Sequence, residues 1–125
     1  MLANNNIIIM NRGDTYRFDF IIEDVESPEG VYHLKGNDTV YFGIMDPHQP
    51  FEEALVKKSF TVEDMLANGV IPIVIQAEDT IDLLPGTYYY AVKLHVQHDT
   101  IDYKTVSTVD QVNTIINKTK FFLCD

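Results

Sequence analysis

Tryptophan is missing from this chain, and cysteine occurs once, at Cys124, one residue from the end. A lone thiol excludes an internal disulfide framework, and there is no Cys-x-x-Cys pair to hold zinc. Basic residues are scarce: nine Lys and Arg stand against nineteen Asp and Glu, a net charge of −10. A surface of that sign repels phosphate, so nucleic acid is not an expected partner. Long apolar runs are lacking too; none approaches the roughly 20 residues of a membrane-spanning helix, and no membrane role is expected. Residues 7–10 are too few for a signal core, and residues 1–6 carry no positive charge. A soluble protein made in a cytoplasm is therefore the expectation.

The chemistry of catalysis is equally thin. No Gly-rich phosphate loop or His-Glu-x-x-His is present. His95, His98 and Asp99 come nearest to a metal constellation, but zinc wants three or four convergent ligands with supporting partners, and these residues read as the exposed end of a hairpin. Cys124 has only Asp125 after it, whereas a reactive thiol needs an electropositive pocket. Asp79 and Asp82 flank a turn and suit backbone bonding there better than acid-base work. The Arg12-Gly13-Asp14 triplet and the sequons at Asn37 and Asn117 lack the secretory context that would give them meaning. The expectation is a protein that is not an enzyme, with no catalytic residue, cofactor or metal.

What the chain does have is alternation. Its 125 residues suit one domain, large enough to bury a core without staples, with residues 1–6 as a polar arm. In residues 87–97, Tyr88, Tyr90, Val92, Leu94 and Val96 share one side, and Thr87, Tyr89, Ala91, Lys93 and His95 the other. That period of two is a half-buried strand. Tyr16, Phe18, Phe20 and Ile22 repeat it, as do Val40, Phe42 and Ile44. Further strands are expected over residues 31–34, 54–62, 70–76, 101–109 and 112–123. Breaks are expected at Asp46-Pro47, at Asn68-Gly69, at His98-Asp99-Thr100 and at Asp110-Gln111. Thr61 is placed to cap one helical turn. Seven or eight short strands with at most one helical turn predict an all-β antiparallel sandwich, with a small closed barrel as the competing architecture.

Leu83-x-Pro85-Gly86-x-Tyr88 sharpens that expectation. It has the spacing of the corner that leads into a central strand of immunoglobulin-like sandwiches, where a Tyr hydroxyl bonds to upstream backbone. An acceptor between Thr80 and Leu83 is expected. Lys57-Lys58 at the centre of residues 54–62 suggests an exposed edge strand. Residues 70–76 are apolar on both sides, and Pro72 confines them to an edge or a bulge. Phe121-Phe122-Leu123 is an apolar ending that would suit docking on a partner. Tyr32, Tyr41 and Tyr89 fall outside the inward sets and could anchor a protein or stack on a sugar.

Taken in order, four stretches carry a resemblance: 12–18 (RGDTYRF), 38–44 (DTVYFGI), 77–90 (AEDTIDLLPGTYYY) and 112–116 (VNTII). Together they resemble small immunoglobulin-like β-sandwich domains of tailed-phage virion proteins, namely the amino-terminal domain of baseplate upper proteins and related tail or head accessory proteins. The resemblance implies a non-enzymatic virion structural protein that docks on other virion proteins, in oligomeric or multi-copy form. The short chain and its unmatched ends leave tail, baseplate or head placement open. A carbohydrate- or receptor-binding β-sandwich module is the alternative expectation.

Overall fold

Inward-facing apolar residues at every second position need a second layer to cover them, and the chain supplies it from its own strands. The computed structural model describes residues 7–102 and 105–125. Its strands are β1 (Ile8–Asn11), β2 (Tyr16–Phe20), β3 (Thr39–Met45), β4 (Val56–Phe60), β5 (Ile71–Ile75), β6 (Gly86–Asp102) and β7 (Thr105–Cys124). One sheet has the order β1-β7-β6-β3-β4, and the other is the antiparallel pair β2-β5. Among the described residues, helical structure amounts to three 3-10 turns and the single turn α1 (Ala77–Thr80).

The core lies between the layers. Phe18 and Phe20 from β2 and Ile71, Ile73 and Ile75 from β5 pack on Val40, Phe42, Ile44, Tyr90, Val92 and Leu94 of the larger sheet. Every residue assigned to the inward side of β6 is buried. β5 pairs only with β2, so Pro72 faces no second ladder, as expected of an edge. β4 is likewise an edge, with Lys57 and Lys58 in it. Thr61 and Asp64 form a reciprocal cap on the 3-10 turn Val62–Asp64. Asn68 (φ 63°) and Gly69 (φ 75°) make the left-handed turn into β5. The central β7-β6-β3 run, the β2-β5 pair and a tyrosine corner at the start of β6 make an immunoglobulin-like sandwich.

Four details differ from the sequence expectation. The Tyr88 hydroxyl donates to the carbonyl of Leu84, just past the expected stretch. The Thr80 carbonyl already accepts the N–H of Leu83 in the turn that follows α1. Residues 31–34 form no strand beyond one bridge between Glu23 and Val31. β1 runs parallel to β7, with Ile8 opposite Phe121, so the sandwich is not purely antiparallel. Finally, neither His98-Asp99-Thr100 nor Asp110-Gln111 breaks the chain: β6 is 17 residues long and β7 is 20.

The last difference has a physical cause. Beyond His95 the partner strand β3 has ended, and β6 continues paired with β7 alone. A ribbon with little core beneath it selects polar residues such as Asp and Thr, and these read locally as a turn. Cross-strand pairing overrides that preference; Thr108 donates its hydroxyl to Asp99 at 2.9 Å.

Two Tyr→Phe changes separate a used hydroxyl from an idle one. Tyr88→Phe removes the corner bond and is expected to lower stability by about 1 kcal/mol. The Tyr16 hydroxyl is buried without a partner. Tyr16→Phe is expected to leave stability unchanged or raise it by up to about 1 kcal/mol, because no bond is lost. Chemical denaturation of both variants checks the contrast.

Candidate functional site

The β6–β7 ribbon is the feature that leaves the body of the sandwich, and a buried carboxylate holds its root. Gly36 adopts a left-handed conformation (φ 61°), and a Cβ there would lie 2.7 Å from that of His98. Only glycine lets the 35–38 loop approach the ribbon so closely. Asn37 N–H then donates to the Gln97 carbonyl at 2.9 Å.

The same turn delivers Asp38, which is 0% exposed. Its carboxylate accepts from the Tyr32 hydroxyl (2.6 Å), Lys35 N–H (3.1 Å), Gln97 N–H (2.7 Å) and His98 Nδ1 (2.9 Å). Burial alone pushes this carboxyl upward, but the bonds from Tyr32, His98, Gln97 and Lys35 outweigh it and hold the pKa below the usual value. Burial, and next the bond to Asp38, pushes the Tyr32 phenol upward. Asp38 thus ties two positions of β6 to the preceding loop.

Past this clamp β6 and β7 continue paired with each other. Residues 99–102 pair with 105–108, a projection of about 13 Å at strand rise. Asp99, Thr100, Val106 and Thr108 are exposed. Among the described residues, no strand pairs with the far side of β7 from Val106 to Lys120; β1 pairs with residues 121–124. Register shifts opposite Val92 bend that open edge.

The outer face of the larger sheet carries a second cluster. Met45, Ala54 and Ala91 are buried there, with Phe51 against them. Lys93 Nζ sits 4.8 Å from the Phe51 ring centroid. Beside them is a shallow depression of about 310 Å³ lined by Tyr41, Phe51, Lys57, Lys93, His95 and Val112.

The residues singled out from sequence are not brought together. His95 pairs with Asp110 at 2.6 Å, His98 with Asp38, and Asp99 with Thr108. His95 and His98 point to opposite faces of the strand. Asp79 caps the start of α1 through the Gln76 N–H (2.7 Å) and pairs with Lys58 (2.7 Å), while Asp82 is exposed. Arg12 pairs with Asp125 at 2.9 Å, and Gly13 N–H donates to the buried Thr80 hydroxyl. Cys124 ends β7 and is exposed. Tyr32 is half-buried on Asp38, Tyr89 is half-buried, and Tyr41 is 38% exposed.

Phe121 and Leu123 are 0% and 2% exposed, sealed in the chain's own core beside β1. They are therefore no docking rim. Asp38 and the ribbon went unseen in the sequence, where Gly36-Asn37-Asp38 reads as an ordinary turn. The chain matches no family model, no curated protein and no solved structure.

Because the Asp38 carboxyl lies lower in the folded state than in the unfolded one, its contribution is full at neutral pH. It is lost as pH falls from about 4, the usual Asp value, through the depressed folded one. Asp38→Ala is expected to cost about 3–5 kcal/mol at pH 7, as for removal of one partner of a buried pair, and clearly less at pH 3. Equal losses at both pH values in denaturant titrations would contradict the assignment.

Proposed function

We propose that this protein is a non-enzymatic assembly module that docks on other proteins through its β6–β7 ribbon. The observation that carries the reading is the outer, two-stranded part of that ribbon, where residues 99–102 pair with 105–108. A two-stranded ribbon with no layer over it is marginal in water. Here it is rooted by a buried carboxylate and extended beyond the body of the sandwich. Among the described residues no third strand pairs with its outer part, which is the setting for strand addition.

The resemblance to tailed-phage virion domains supplies the setting. The protein is then a virion structural protein of tail, baseplate or head, made in the bacterial host's cytoplasm and used in many copies. Its partners are other virion proteins. The contact lies on the ribbon and its sheet face rather than on Phe121 and Leu123, which serve the core.

This reading is preferred to a carbohydrate-binding one on the state of the aromatics. Phe51 is covered by Lys93 on the outer sheet face and packs toward Gly43. Tyr32 is engaged by Asp38. Of the three candidate tyrosines, Tyr41 and the half-buried Tyr89 remain, and two partly covered rings supply little stacking area.

Replacing residues 99–108 with Asn-Gly closes the ribbon in a two-residue turn above the His98–Val109 pair. The shortened protein is expected to melt within a few degrees of the parent and to be lost from assembled particles. Particles that incorporate it as efficiently as the parent would overturn the proposal; quantitative mass spectrometry of purified particles reads the outcome.

A further inference from the structure

The outer face of the larger sheet is polarised along its length. Over the body of the sandwich it carries Lys57 from β4, Lys93 from β6, and Lys118 and Lys120 from β7, four of the nine basic residues of a chain whose net charge is −10. Strand register fixes that placement. Lys57 lies opposite Gly43 in the outer cluster, Lys93 opposite Tyr41, and Lys120 opposite Tyr89. Lys57 and Lys120 are exposed and have no carboxylate partner among the described residues. Toward the ribbon the same face carries Asp99 and Asp110, both exposed. Between the two ends lie Tyr41, 38% exposed, and Val112, 60% exposed, at the apolar depression, whose rim also holds one exposed acid, Glu52, among the lysines.

A face that is basic at one end, acidic at the other and apolar in the middle is complementary to itself under a two-fold rotation. We propose that the second copy of this chain is its occupant: two outer sheet faces pack antiparallel, each ribbon lying over the partner's lysines, with Val112 and Tyr41 near the axis. The 17 residues of β6 span about 55 Å at strand rise, and four strands lie side by side over the body. That is room for the roughly 800 Å² per partner of a stable complex. Contacts between exposed charges of this kind weaken with salt. The proposal deepens the docking reading by naming one partner of the ribbon. It can fail alone, since a ribbon that docks on a different protein needs no self-association.

Charge reversal in trans tests it. Light scattering coupled to gel filtration at low salt is expected to give twice the 14.3 kDa chain mass, falling toward monomer in 0.5 M salt. K57E/K120E and D99K/D110K are each expected to be monomeric with unchanged circular dichroism. Each now sets like charge on like. Mixed in equal amounts, the two variants are expected to recover the dimer mass, because each ribbon then meets a body of opposite sign. A wild-type monomer at 0.5 mM, variants that stay dimeric, or a mixture that stays monomeric would each overturn the two-fold dimer. Mixed species larger than a dimer would replace it with head-to-tail packing. In the wild-type-monomer case, loss of the ribbon-shortened variant from particles would still uphold docking on another protein.

Discussion

One buried carboxylate sets the geometry of everything outside the sandwich. Asp38 sits at the end of the loop before β3, yet two of its four donors belong to β6, about sixty positions later in the chain. Removing an ionised group from water is costly unless its lone pairs are occupied, and here each oxygen accepts two bonds. The arrangement therefore has little tolerance: loop, tyrosine, histidine and strand must arrive together. Gly36 makes that convergence sterically feasible, because any side chain there would collide with His98. The direction of the ribbon follows from an electrostatic constraint rather than from apolar packing, which has run out by that point.

The rest of the molecule divides its surfaces by how they are closed. β1 covers the last four residues of β7, and the Arg12–Asp125 pair lies where the two ends meet. Lysines on β4 and the proline of β5 mark edges that natural sheets keep from pairing. Among the described residues the middle of β7 has no second neighbouring strand besides β6, and its register shifts twist that edge out of plane instead. Among the described residues the outer part of the ribbon has no covering strand.

Much of the sandwich was legible because its strands are buried on one face. Inward sets such as Phe18-x-Phe20 and Val40-x-Phe42-x-Ile44 announce themselves by period, and Pro85-Gly86-x-Tyr88 announces the corner. Legibility failed where burial stopped constraining composition. The outer half of β6 and β7 is exposed, so Asp99, Thr100, Asp110 and Gln111 carry no period and resemble loop residues. Phe121-Phe122-Leu123 misled for a related reason: an apolar trio near a terminus says that it is covered, but not that β1 from the opposite end covers it. Asp38 was hidden because a turn Asp is common, and only tertiary structure reveals four donors converging on one. Tyr41 stood outside the inward sets in the sequence, while the charge polarity of the outer sheet face required knowing which strands lie side by side.

The parallel pairing of β1 with β7 has a kinetic consequence. Ile8 and Phe121 are neighbours in space but more than a hundred residues apart along the polypeptide, and both are wholly enclosed. During synthesis the interior stays open at that seam until Phe121 has emerged from the ribosome, and a nascent chain halted earlier exposes Ile8, Met10 and the flank of β6. Closing so long a loop carries an entropic toll that only the completed seam returns. A fold organised this way completes itself late, and until that moment its unfinished seam lies open to the seams of its neighbours.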